Sequence, residues 1–216
     1  MKIENQKHSA DEINDIVASG EALKYDDIEI LIEAGTSVIN PSESTDCLRK
    51  AIFLLNNKKR TPDEEYFLGY AWYHLPDNAV DSVERNRIVE EQLKKTVGYG
   101  EGCANYMYAK ELLGCQYYDV GQYEAALSIF LTFEKDAFMK NFNQGWRDVK
   151  LAELKLCCSL RLNRIHEIES RVEALFDIFC IVLGNKQDDN VFSSDLALPA
   201  ELIQTLEAIL KNEQRK

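Results

Sequence analysis

The sequence predicts an all-α fold, built from antiparallel helical hairpins that stack as a short solenoid between N- and C-terminal capping helices. Three observations carry this expectation. Apolar residues recur at i, i+3, i+4 and i+7 in segment after segment, the spacing of one helical face. Glycine or asparagine interrupts these segments at helix-length intervals, where a left-handed backbone suits a helix end. No convincing run alternates apolar with polar residues as a half-buried strand would.

Residues 1–60 are expected to form an acidic helical cap. Ser9-Ala10-Asp11-Glu12 has the spacing of a capping box, Gly20 and Gly35 are plausible stops, and Asp46 to Leu55 carries a helix into the basic run Lys58-Lys59-Arg60. Residues 61–183 hold the hairpins, in one continuous domain with the caps. Thr61-Pro62-Asp63-Glu64 combines a capping box with proline in the first turn, so a helix runs from Pro62 towards Pro76, and its partner spans about Asp81 to Val97.

In the next hairpin, Tyr106, Ala109, Leu113 and Tyr117 form one stripe. Gly121 marks the turn, and Tyr123, Ala126, Leu127 and Phe130 form the facing stripe. A third hairpin follows Trp146: a helix to about Leu162, a turn at Asn163-Arg164, then the stripe Ile165, Ile168, Val172, Leu175, Phe176, Phe179 and Leu183. From Gly184 to Leu198 the chain is polar and reads as a loop. Pro199 then opens a last amphipathic helix bearing Leu202, Leu206, Ile209 and Leu210, as a terminal cap of a stacked array would.

The residues Leu113, Gly114, Tyr117, Gly121, Tyr123, Ala126, Leu127 and Phe130 resemble the heart of a tetratricopeptide repeat, with the match spanning residues 103–138. Leu68-Gly69 echoes Leu113-Gly114. The separation of these pairs exceeds the repeat period of about 34 residues, which implies an enlarged connection. Bulky Phe133 stands where the family has a small residue, and the proline that often ends the repeat is missing near Phe138, which implies irregular stacking there. The resemblance implies a surface that holds another protein. It also implies that the face of each first helix turned away from its own partner helix lines a concave groove.

Composition narrows the function. The chain has 216 residues, 45% of them hydrophobic, and a formal net charge of −12, which argues against nucleic acid as the main ligand. Residues 1–46 contain three lysines against eleven acidic residues, so that segment supplies −8 of this charge. Such a segment suits either solvation or a basic partner. No apolar run reaches the length of about 18 residues needed to span a membrane, and the polar start Met1 to Gln6 is unlike a signal peptide, so no membrane role and a cytoplasmic location are expected. The six cysteines, at 47, 103, 115, 157, 158 and 180, lack paired CxxC spacing, so neither a metal site nor a disulfide framework is expected. Cys157-Cys158 is read as two small buried apolar residues rather than a redox pair.

No catalytic motif stands out. His8, His74 and His166 are scattered, His166-Glu167 lacks a second histidine, and Gly98-Tyr99-Gly100-Glu101-Gly102 lacks the lysine and strand of a phosphate loop. The expectation is a non-enzyme without cofactor.

Tyrosine placement is the more specific signal. Nine of ten tyrosines lie between Tyr66 and Tyr123. At about 100° per residue, Leu68, Ala71, Trp72 and Leu75 occupy one face of the first hairpin helix, and Tyr66, Tyr70 and Tyr73 nearly the opposite one. The resemblance places Tyr66, Tyr70, Tyr73, His74, Tyr108, Glu111, Cys115, Tyr118 and Asp119 on or near the groove, with Lys150, Glu153 and Arg161 continuing it. Tyrosine supplies large apolar area and a hydroxyl, as interface hot spots require. The alternative is that neighbouring helices fill this face as a second core.

The expected function is therefore a module that binds a protein or peptide partner, basic and toxin-like in the preferred version, which makes the chain a bacterial immunity protein. A cytosolic chaperone or adaptor for an extended peptide is the alternative, and an enzyme with an unrecognised site the third.

Overall fold

The computed structural model describes residues 8–37 and 41–184. Among them are ten α-helices and no strand: α1 (Ala10–Ser19), α2 (Ile28–Thr36), α3 (Pro41–Asn56), α4 (Pro62–His74), α5 (Ser82–Gly98), α6 (Tyr106–Asp119), α7 (Tyr123–Phe130), α8 (Ala137–Phe142), α9 (Gly145–Arg161) and α10 (Ile165–Gly184). The all-α expectation holds. The loop was expected from Gly184 to Leu198; Gly184 instead ends α10, while the rest of that loop and the helix expected after Pro199 lie outside the described residues. The chain divides into two compact units, residues 1–116 and 117–216, and the second begins in the last turn of α6.

In the first unit the helix starts are written locally. Ser9 accepts from the Glu12 amide while the Glu12 carboxylate accepts from the Ser9 amide, and Thr61 and Glu64 repeat the arrangement at α4. These reciprocal bonds satisfy amides that have no partner within the helix. Asp81 caps α5 through the Glu84 amide at 3.0 Å. Gly20 ends α1 in the left-handed region, at φ 72°.

Two expectations need correction. Gly35 is no stop: it lies inside α2, buried, and a Cβ there would sit 2.6 Å from Leu48 Cγ and Cδ2. Its lack of a side chain lets α2 and α3 approach. Nor does α3 begin near Asp46; it starts at Pro41, since a proline in the first turn gives up no intrahelical hydrogen bond.

The core of this unit joins Leu31 of α2, Leu48, Ala51 and Leu55 of α3, and Leu68 and Ala71 of α4. Each is at most 2% exposed, so this cluster sets the rotation of α4 about its axis. Helix α5 packs on α4, with Gly69 against Leu93.

In the second unit α7, α8 and α10 all pack on α9. Gly121, at φ 79°, donates to the Tyr118 carbonyl while the Gln122 amide reaches Tyr117, so α6 ends where the sequence placed its turn. Asn163, at φ 54°, does the same between α9 and α10. Ala126, Leu127 and Phe130 are buried as expected, but α7 ends at Phe130. Beyond it Phe133 stacks on Phe138 of α8 with centroids 5.7 Å apart. The stripe predicted for α10 is split: Ile168 is buried together with Ile178 and Val182, whereas Ile165, Val172 and Phe176 are 52%, 41% and 66% exposed.

Candidate partner-binding surface

The site residues from Tyr66 to Cys115 belong to the first unit. Helix α4 is fixed at its start by the Thr61 cap and from the side by Glu65. The Glu65 carboxylate is buried, accepts from Arg60 Nε at 3.0 Å and pairs with the Lys95 ammonium of α5. With Leu68, Ala71 and Leu75 committed to the core, the rows beside them carry the aromatic rings.

These rings form a ladder. Tyr66 and Tyr70 have centroids 5.7 Å apart, Tyr70 and His74 4.3 Å, and Tyr73 and His74 5.1 Å. Such separations lie within or just under the range in which aromatic pairs attract beyond their burial. The ladder is graded in exposure: Tyr66 is buried, Tyr70 and Tyr73 are half-buried, and His74 is exposed. Desolvation pushes the His74 imidazole down to about 4. His74 is therefore neutral at pH 7. Tyr70 also packs against the core, so the face opposite Leu68 is partly a second packing surface.

The N-terminus of α4 is tied to the start of α6. Asp63 Oδ1 accepts from the Asn105 amide at 3.1 Å, from Asn105 Nδ2 at 2.9 Å and from the Cys103 thiol at 3.2 Å. On α6, Tyr108 and Cys115 are half-buried, while Glu111 is buried, at 5% exposure. Glu111 and Tyr66 are therefore not available as open contact area.

Tyr118 and Asp119 belong to the second unit. Asp119 is exposed. Tyr118 is half-buried and packs edge-on to Tyr123, with centroids 5.3 Å apart. It interacts with the Arg161 guanidinium and the Cys157 thiol of α9. Burial pushes the phenol up to about 12 and the Cys157 thiol up to about 11, so both stay protonated at neutral pH. Burial likewise raises Cys158, to about 12.

Lys150, Glu153, Cys157 and Arg161 fall along one row of α9, and Tyr118 joins it. Glu153 is half-buried, and desolvation holds its carboxyl above the usual range. Cys157 was missed as a partner of Tyr118. The i, i+4 spacing of Cys157 and Arg161 was the available signal.

Among the described residues no group of three or more histidine, cysteine, aspartate or glutamate side chains could hold a metal ion, and no helix is long and apolar enough to cross a membrane. Compared with family models, with curated proteins and with solved structures, the chain matches none.

Proposed function

We propose that the chain is a protein-interaction module built from tetratricopeptide-like helical hairpins, and that it holds a basic partner protein in the cytoplasm. The observation that carries this reading is the ring ladder on α4. A row of aromatic side chains running from a buried tyrosine to an exposed neutral histidine offers rigid, amphipathic contact area at low rotamer cost. The acidic balance, −8 of it in residues 1–46, favours a basic partner through steering.

In its most concrete form the module is a bacterial immunity protein that occupies a cognate toxin. The test is to capture partners of the tagged full chain from its own cells and to assay each purified partner for toxicity with and without the chain. A toxic partner neutralised at equimolar chain supports the reading. A partner without toxicity that binds as an extended peptide would establish the chaperone or adaptor reading instead. Capture that survives Tyr73→Ala and His74→Ala together would remove the ladder from the interface.

A further inference from the structure

The hairpin of α9 and α10 is held in register along its length. Near its turn Ser159 Oγ donates to Glu167 Oε2 at 2.9 Å. Towards the other end Gly145 lies so close to Val182 that a Cβ on the glycine would stand 2.8 Å from Cγ2. Between these contacts Val149 and Ile178 share one core. One turn on from Ser159 and Glu167, the same register sets Lys155 of α9 across from Arg171 of α10.

Both cations are half-buried, and both are poorly partnered. Lys155 Nζ donates to the Phe133 carbonyl at 3.5 Å and Arg171 Nη2 to Glu167 Oε2 at 3.4 Å, well beyond the usual length of such bonds. Arg171 Nε is buried and has no acceptor among the described residues. Glu167 is already held by Ser159 and by Arg164 Nη1 at 3.2 Å. Asp148, two turns back from Lys155, has its carboxylate engaged by the amides of Phe138 and Met139. Burial, followed by the charge of Arg171, pulls the Lys155 ammonium below its usual range, while Asp148 pulls weakly the other way. With 37 acidic residues against 25 basic ones, the chain has carboxylates in excess. Elsewhere they take up its cations, as Glu65 takes Arg60 at 3.0 Å and Glu84 takes Arg87 at 2.8 Å. Two facing cations in a half-buried setting repel each other, and an anion between them removes that cost.

We propose that Lys155 and Arg171 form a binding site for a phosphate group, brought as inorganic phosphate or as a small phosphomonoester. A phosphate group carries about −1.5 to −2 charge at pH 7, which matches two cations. A carboxylate carries a single charge, which the guanidinium fork satisfies by itself. The ammonium adds a compact charge on a flexible stem, able to follow the third oxygen. The site lies within the second unit and does not depend on the ring ladder of α4.

The test titrates the 15N-labelled full chain with sodium phosphate, methyl phosphate, acetate or chloride at pH 7.5 and constant ionic strength. The reporter is the Nε–Hε signal of Arg171, assigned by its loss in Arg171→Lys, with the signal of exposed Arg87 on α5 as the internal control. Phosphate, methyl phosphate or both should shift the Arg171 signal saturably and leave that of Arg87 in place, whereas acetate and chloride should do neither. Tighter binding of inorganic phosphate would identify a site for the free ion, and equal or tighter binding of methyl phosphate a site for a phosphomonoester. Lys155→Met should weaken this binding at least about tenfold, as loss of a charge-assisted bond does, and leave Tm in chloride unchanged or higher. Lys155→Gln serves as the second variant if the methionine form does not fold. No saturable shift with either phosphate, an equal shift with acetate or chloride, or an affinity within about threefold of the parent's in the lysine variant would overturn the proposal.

Discussion

Gly35 of α2 lies so close to Leu48 of α3 that a Cβ on the glycine would stand 2.6 Å from the leucine's Cγ and Cδ2. Gly35→Ala should therefore destabilise the protein by ~1–3 kcal/mol through overpacking, although alanine is the better helix former by about 1 kcal/mol. Gly98, which has nothing within 4 Å of the corresponding position, is the internal control. Gly98→Ala should be neutral or gain up to about 1 kcal/mol. Urea midpoints decide both, and a Gly35→Ala midpoint at or above the parent's would show that Leu48 yields freely.

The Glu65 carboxylate, 5% exposed in its side chain, holds Arg60 and Lys95 together. Glu65→Ala should cost ~3 kcal/mol, because removing one partner leaves cations without compensation. The cost is tempered by Lys95, which is 47% exposed and can turn to water. Chemical denaturation measures it; a loss below about 0.5 kcal/mol would put this pair among ordinary surface ion pairs.

The helix boundaries were legible wherever the signal is local. Ser9 with Glu12, Thr61 with Glu64, Asp81, Gly121 and Asn163 each act through bonds within a few residues, so their sequence spacing is their geometry. What escaped depends on remote neighbours. Nothing near Gly35 in sequence announces Leu48, and nothing in the α10 stripe distinguishes Ile168, which meets the core, from Phe176, which does not. In the candidate surface, the tyrosine row on α4 was visible from periodicity, but the burial of Tyr66 and Glu111 and the interaction of Tyr118 with Cys157 arise from other helices.

If the ladder is the proposed interface, binding and stability should separate within it. Tyr70 lies against the core as well as between Tyr66 and His74, so Tyr70→Ala should lower stability by about 2 kcal/mol or more in addition to weakening partner binding. Tyr73 lies at the ladder's edge. Tyr73→Ala should weaken binding at least about tenfold, as hot-spot truncations do, while stability stays within about 1 kcal/mol. Calorimetric titration beside thermal unfolding distinguishes these outcomes; equal losses of stability in both variants would show a wholly structural row.

His74 sets a pH dependence whose sign follows from its lowered pKa. Between pH 6.5 and about 4 the unfolded chain takes up a proton at this site that the folded chain resists. The contribution of His74 to stability is present above this window and is lost as pH falls through it. His74→Gln should flatten the stability profile over that range, read from unfolding at half-unit pH steps. A variant profile parallel to the parent's would assign the acid sensitivity to other groups.

Thiol chemistry provides a separate check. Cys157 and Cys158, buried and raised to about 11 and about 12, should resist iodoacetamide in the native protein at pH 7.5, while exposed Cys180 is alkylated. Intact mass after timed quenching reports the order of reaction, and early modification of Cys157 or Cys158 would show that the second unit opens.

Helix α8 is only six residues long, too short to persist in water by itself. Its first amides, those of Phe138 and Met139, are received at 2.9 Å and 2.7 Å by the carboxylate of Asp148, which belongs to α9 and comes later in the chain. Synthesis therefore delivers the helix before the group that holds it. A nascent chain halted before Asp148 leaves the ribosome has residues 137–142 without their cap, and the order of events at this corner of the molecule runs backwards along the sequence, from α9 to α8.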